Sequence, residues 1–189
     1  MIEAEVTQML YTAFLRGINV GGHRKIKMAD LRSHLENRGC TRVKTYIQSG
    51  NIVFEADENT MTGKRLENLL LEHYGFEVSI VLLPSQELKQ ILISFPFGEN
   101  HPDTAGNKTV FTFIDSAKGS SAEEINKLKE FASSSEKLVY SKQGYWLHCP
   151  EGYGKTKLSN ALIEKKLGKS ATTRNLRTLK AMVLMTEET

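Results

Sequence analysis

The sequence predicts an α+β protein built from two tandem ferredoxin-like (split βαβ) halves with antiparallel sheets, plus a C-terminal helix. Three observations lead there. Segments with apolar residues at helical spacing are interleaved with short β-branched and aromatic runs. The first 83 residues read in the order βαββαβ. A second run of strand, helix and hairpin then opens near residue 108.

The first half starts with a strand over residues 9–15 that runs into a glycine-rich loop. Met28, Leu31 and Leu35 then mark a helix over 28–37 that stops at Gly39. Residues 42–48 and 52–55 form a hairpin around Ser49, Gly50 and Asn51, residue types that tolerate positive φ. A helix over 60–74 with Leu66, Leu69, Leu70 and Tyr74 on one face precedes a strand over 77–83. These elements make an N-terminal half over 1–83. Residues 84–107 connect: a helix over 85–93 begins after Pro84, and the Pro-, Gly- and Asn-rich stretch 95–107 is the linker. The C-terminal half, 108–189, has a strand over 108–114 and a helix over 121–132. A hairpin over 136–149 turning at Gln143 and Gly144, a helix over 157–167 and a closing helix over 175–185 complete it.

Composition narrows the function classes. With 40% hydrophobic and 25% charged residues, the chain has the make-up of a folded domain and not of a disordered one. Its net charge of +3 is too small to signal nucleic-acid binding by itself. The distribution is more informative. Residues 16–44 hold eight basic side chains against Asp30 and Glu36, and residues 151–180 hold eight against Glu151 and Glu164, so a polarised surface is expected if the two regions meet. Cys40 and Cys149 lack the paired spacing of a zinc or redox site, so no metal and no cofactor is expected. No apolar run reaches the ~20 residues of a membrane span, and the start of the chain is acidic where a secretory leader is basic, so a cytoplasmic location without membrane contact is expected.

The most distinctive stretch is the loop holding Arg16, Gly17, Asn19, Gly21, Gly22, His23, Arg24, Lys25 and Lys27. Glycines let a backbone approach a ligand and aim peptide N–H groups at it, and cations beside a helix start suit an anion. Asn19 stands where the dinucleotide fingerprint needs glycine, which disfavours a nicotinamide or flavin cofactor. The plain alternative is a turn between strand and helix. His23 is the one histidine placed to act as a general acid or base. Residues 149–156 end in Gly154, Lys155 and Thr156, but Cys149 occupies the first glycine position of a P-loop, so nucleotide hydrolysis is disfavoured. What remains there is a helix start carrying Lys155, Thr156 and Lys157. Thr172 or Thr173 reads as the N-cap of the last helix, with Arg174 beside it as a ligand-binding candidate. Tyr46, Phe54, Tyr140, Tyr145 and Trp146 on the two hairpins read as sheet core, not as the stacking platform of an RNA-recognition domain. The other histidines lack ligand spacing, no Gly-x-Ser-x-Gly elbow occurs, and no catalytic constellation is identified.

Several blocks carry a family resemblance. They are residues 15–22 (LRGINVGG), 27–31 (KMADL), 46–54 (YIQSGNIVF), and 157–160 (KLSN) with 172–175 (TTRN). On these the chain resembles DUF1697, a family of uncharacterised, mostly bacterial proteins. The resemblance implies a cytoplasmic α+β fold with ferredoxin-like halves. It implies no activity, cofactor or catalytic residue. One of its blocks adds Gln48, Ser49 and Asn51 as candidates to share a site with the first loop, although in a ferredoxin-like half the two loops need not adjoin.

The function expected is a binding module for an anionic ligand, either nucleic acid or a phosphorylated metabolite. The ligand set is Arg16, Gly17, Asn19, Gly21, Gly22, His23, Lys25, Lys27, Gln48, Ser49, Asn51, Lys155, Lys157 and Arg174. One alternative is an enzyme on a small phosphorylated or nucleotide-like substrate. The other is a structural or interaction protein that forms a homo-oligomer through hairpin edges.

Overall fold

In a computed structural model of the chain, residues 7–98, 101–103, 105–114 and 120–188 are described. The acidic start, three positions of the expected linker and the stretch just after the strand ending at Ile114 lie outside them. The elements run β1 (Gln8–Leu15), α1 (Met28–Asn37), β2 (Thr41–Tyr46), β3 (Asn51–Asp57), α2 (Gly63–Tyr74), β4 (Ile80–Pro84) and α3 (Ser85–Ile93). They continue with β5 (Thr109–Ile114), α4 (Ala122–Leu128), β6 (Lys137–Ser141), β7 (Gly144–His148), α5 (Asn160–Leu167), β8 (Ala171–Asn175) and α6 (Leu176–Glu187). The architecture is α+β, with two four-stranded antiparallel sheets of the same order, β2-β3-β1-β4 and β6-β7-β5-β8. That order is the split βαβ arrangement, so the expected ferredoxin-like duplication is present. The chain divides into two compact units, one ending at Lys89 and regaining the chain from Ala181, the other Gln90–Lys180. No described helix is long and apolar enough to cross a membrane.

Strand alternation decides which side chains meet the helices. In the first unit, Tyr11, Ala13 and Leu15 of β1 and Ile52, Phe54 and Ala56 of β3 pack with Met28, Leu31 and Leu35 of α1 and Leu66 and Leu70 of α2. In the second, Val110 and Ile114 of β5 and Tyr145 and Leu147 of β7 pack with Ile125 and Leu128 of α4 and Ile163 of α5. Of the hairpin aromatics read as core, Phe54, Tyr145 and Trp146 are buried, whereas Tyr46 is half-buried and Tyr140 is exposed, so those two do not belong to the core.

Several boundaries differ from the sequence reading. Helix α2 begins at Gly63 because Thr62 caps it, its Oγ1 accepting from the Arg65 N–H at 3.1 Å. The expected helix over 121–132 is α4 followed by a 3-10 turn, Lys129–Phe131. The segment before the last helix is a strand, β8, which fills the edge of the second sheet by pairing with β5. The hydroxyls of Thr172 and Thr173 therefore do not cap α6. Asn175 does, accepting from the Thr178 N–H at 2.9 Å.

Between α1 and α2 lies a cluster of ionisable rings. The buried imidazole of His34 stacks on His73 at 4.0 Å between ring centroids and donates from Nε2 to the Leu69 carbonyl at 3.1 Å. His73 and Tyr74 both donate to Asp30, at 3.1 and 2.7 Å. Burial pulls the His34 pKa below its usual value, helped by the charges of His73 and Arg38 and opposed by the Leu69 carbonyl and Asp30. Burial likewise lowers the His148 pKa in the second unit. A histidine depressed in the fold binds its proton more readily when unfolded, so this stability is present above the unfolded pKa and is lost on acidification.

This packing has two measurable consequences. The urea midpoint should fall as pH drops from about 7.5 to about 5.5, through the unfolded histidine pKa of about 6.5. His34→Phe should flatten part of that fall, and a midpoint independent of pH would contradict the assignment. Gly144, at φ +154°, has no room for a side chain, since an added Cβ would sit 1.8 Å from the Thr112 carbonyl oxygen. Gly144→Ala should cost about 3 kcal/mol or more in denaturant titration by forcing β5 from β7, and a change under about 0.5 kcal/mol would show the close approach to be wrong.

Candidate functional site

The antiparallel pairing of β1 with β3 brings Phe14 opposite Asn51. The end of β1 and the hairpin turn 47–50 therefore lie side by side, and the expectation that these loops need not adjoin is corrected by the pairing itself. The Leu15 N–H donates to the Gly50 carbonyl at 2.7 Å, and the Arg16 N–H to the Ser79 carbonyl at 2.9 Å. Gly50 has φ +73°, and a Cβ there would meet Leu15 at 2.5 Å and Ile18 at 2.9 Å. Only glycine lets the turn close this tightly on the loop.

Asn19 fastens the two loops together. Its Nδ2 donates to the Ile26 carbonyl at 2.9 Å and to the Gln48 carbonyl at 2.8 Å, while its Oδ1 accepts from the Ile26 N–H at 2.9 Å. Above this clasp the Asn19 N–H donates to the Arg24 carbonyl and the His23 N–H to the Val20 carbonyl. Gly21 and Gly22 lie between, both at positive φ, the signature of a primed turn. The segment is thus a miniature hairpin, anchored below by the buried Ile18 and Ile26, with 21–25 exposed at its tip. It is neither a slack turn nor a ring of inward-facing amides, because two of its N–H groups are spent on closing it.

These bonds define what each candidate residue in the first unit does. Asn19 belongs to the scaffold. So does Asn51, which is fully buried and donates to the Tyr46 carbonyl and to Ser49 Oγ, at 3.1 and 2.9 Å. Gln48 gives its carbonyl to Asn19 and leaves its side chain exposed. Arg16 is half-buried, and Arg24 folds back so that its Nη1 is 3.6 Å from where a Gly17 Cβ would stand. Lys25 and Lys27 are exposed and, like Arg24, make no ion pair with a described residue. Lys27 occupies the N-cap position of α1 without capping it by a side chain, so the first-turn amides beside it lack that partner. The His23 ring is exposed and has no described hydrogen-bond partner, which gives the acid–base reading no support.

Two residues at this end escaped the sequence reading. Val20 is 68% exposed and Ile47 51% exposed, the latter at φ +48°. A β-branched residue in the left-handed region is strained, and it is held there because the four-residue turn 47–50 must present the Gln48 carbonyl to Asn19 and the Gly50 carbonyl to the Leu15 N–H. The available signal was Ile47 itself, an apolar residue directly before Gln48, Ser49 and Gly50.

The candidates of the second unit do not share one purpose. Lys155 ends a 3-10 turn, Tyr153–Lys155, and pairs with Glu151 at 3.5 Å, while α5 begins only at Asn160 with Ser159 as its cap. Lys155 and Lys157 therefore precede the helix and do not decorate its start. Arg174 lies on β8, its Nη1 donating to the Thr173 carbonyl at 2.9 Å, and burial pulls its pKa down to about 10. The Thr173 hydroxyl meets Thr112, Tyr153 and Asn160, at 2.8, 3.1 and 2.7 Å. That hub joins α5 to β8 and β5, and so ties together the two sequence blocks that hold Asn160 and Thr173. Among the described residues, no group of three or more His, Cys, Asp or Glu is placed to hold a metal ion.

If Asn19 is the clasp, Asn19→Ala should cost about 1–3 kcal/mol in urea denaturation. It should also speed hydrogen exchange at the Ile26 amide, with unchanged stability and exchange as the contrary result.

Comparison with known proteins adds a family and a fold. The family model described as Protein of unknown function (DUF1697) matches residues 9–146. The structure of conserved bacterial protein SP0830 from Streptococcus pneumoniae is similar, with 29% identity, a TM-score of 0.74, and coverage of 95% of this chain and 99% of that one. No curated protein matches.

Proposed function

We propose that this chain, which belongs to the DUF1697 family of proteins of unknown function, is a binding module for phosphate-bearing polyanions, nucleic acid foremost. The observation that supports it is the display of Arg24, Lys25 and Lys27, without ion pairs to described residues, on a loop that Asn19 fixes to the hairpin turn. Cations held on a rigid tip lose little freedom when a phosphate arrives. Exposure favours a polymer over a metabolite. Pockets for small ligands bury most of the ligand surface, about 70–90%, whereas residues 21–25 all face solvent. A strand lying across the tip meets the cations and also covers Val20 and Ile47. The exposed apolar pair suits a ligand with base or sugar surface as well as charge. A cytoplasmic setting fits two buried, unbridged thiols, Cys40 and Cys149, both pushed up by burial to about 11 and so inert.

Anisotropy titration of a fluorescein-labelled single-stranded oligonucleotide tests the reading. Binding should weaken with salt, and replacing Arg24, Lys25 and Lys27 by Ala should lower the log–log salt slope by about 1 for each phosphate no longer neutralised. Absence of binding at low salt, or a triple variant with unchanged affinity and slope, would refute it.

A further inference from the structure

We propose that the second unit holds a separate small-molecule site, for a monocarboxylate with an apolar body. A cavity of about 520 Å³ opens there among Leu92 and Ile93 at the end of α3, Phe95, His101, and Leu176 and Lys180 of α6. The volume falls within the ~300–1,000 Å³ of ligand pockets. Leu92, Ile93, Phe95 and Leu176 form an apolar side, and His101, Asp103 and Lys180 supply the polar groups. Ile93 is 75% exposed beside it, a large apolar side chain without cover.

The polar groups choose the ligand's head. The Asp103 N–H donates to His101 Nδ1 at 3.2 Å, which places the neutral ring's proton on Nε2. That N–H has no described partner, and the ring is held by Phe95, Phe97 and His148, with centroids at 5.7, 5.1 and 4.4 Å. Asp103 also lines the cavity, but its carboxylate is already met by the Asn107 and Lys108 N–H groups, at 3.1 and 2.9 Å. Lys180 makes no ion pair with a described residue and is the remaining charge. One ammonium and one neutral N–H match a single negative charge spread over two oxygens. A phosphate dianion would be opposed by Asp103, and a neutral ligand would leave Lys180 unanswered. The apolar walls take the rest of the molecule.

The chain's only tryptophan reports on this site. Trp146 is buried and packs edge-on to Phe95 at 5.1 Å. The full chain is titrated with octanoate, 1-octanol and acetate while tryptophan fluorescence and melting temperature are followed. Octanoate should give a saturable fluorescence change and a raised melting temperature, binding about tenfold or more tighter than octanol, with acetate weaker than both. Lys180→Gln should bring octanoate down to the octanol affinity, and Ile93→Gln should weaken both; each lies on the surface and leaves the core intact. Absence of a saturable change, equal affinity for octanoate and octanol, or full octanoate affinity in either variant would overturn the proposal. None of these results bears on the oligonucleotide titration, which concerns the first unit.

Discussion

The pairing of β1 with β3 runs antiparallel, and the Asn19 carboxamide turns that pairing into one fastened pair of loops. Antiparallel order brings the end of one strand to the start of the other, so residues 16–27 and 47–50 emerge side by side. Adjacency by itself leaves two loops free to move apart. Three hydrogen bonds from one side chain, at about 1 kcal/mol net each, hold both in one geometry. The cost is carried by backbone. Asn19, Arg24 and Ile47 all sit at positive φ without being glycine, and such residues are kept only where surrounding contacts over-determine them. The buried Ile18 and Ile26 and the close seat of Gly50 supply those contacts.

The two units repeat one topology and have diverged in chemistry. In the second, the Ile114 N–H donates to the Gln143 carbonyl just as Leu15 donates to Gly50. What distinguishes that unit lies elsewhere: a hydroxyl hub on Thr173, a half-buried Arg174, and a group of rings around His101 beside a cavity. A shared fold with separate sites is common among duplicated domains, since function is set by side chains grafted on a scaffold.

Much of the fold could be read from periodicity. Leu31 and Leu35, or Leu66 and Leu70, are spaced for a helix face and occupy one. The missed strand shows where this fails. Residues 171–175 are polar and hydroxyl-rich, so they resemble a cap, and they become a strand because β5 offers an edge, Phe111 opposite Arg174. The candidate site was legible as a location but not as a division of labour. Asn19 and Asn51 have the chemistry of ligand-binding groups, yet the partners of Asn19 lie 7 and 29 residues away, and no local pattern reveals them. Ile47 carries the opposite lesson: an apolar residue in a polar turn was visible, but its strained backbone was not.

The fixed tip of the first loop, with the adjoining turn, is the surface proposed to meet a polyanion. The most direct measurement is amide chemical-shift mapping by NMR during titration with a single-stranded oligonucleotide of about a dozen nucleotides. The largest shifts are expected at Gly21, Gly22, Lys25 and Gln48, with the Ile26 amide, locked to Asn19, moving little. Shifts spread evenly over the basic surface, or centred on Lys155 and Lys157, would contradict that assignment.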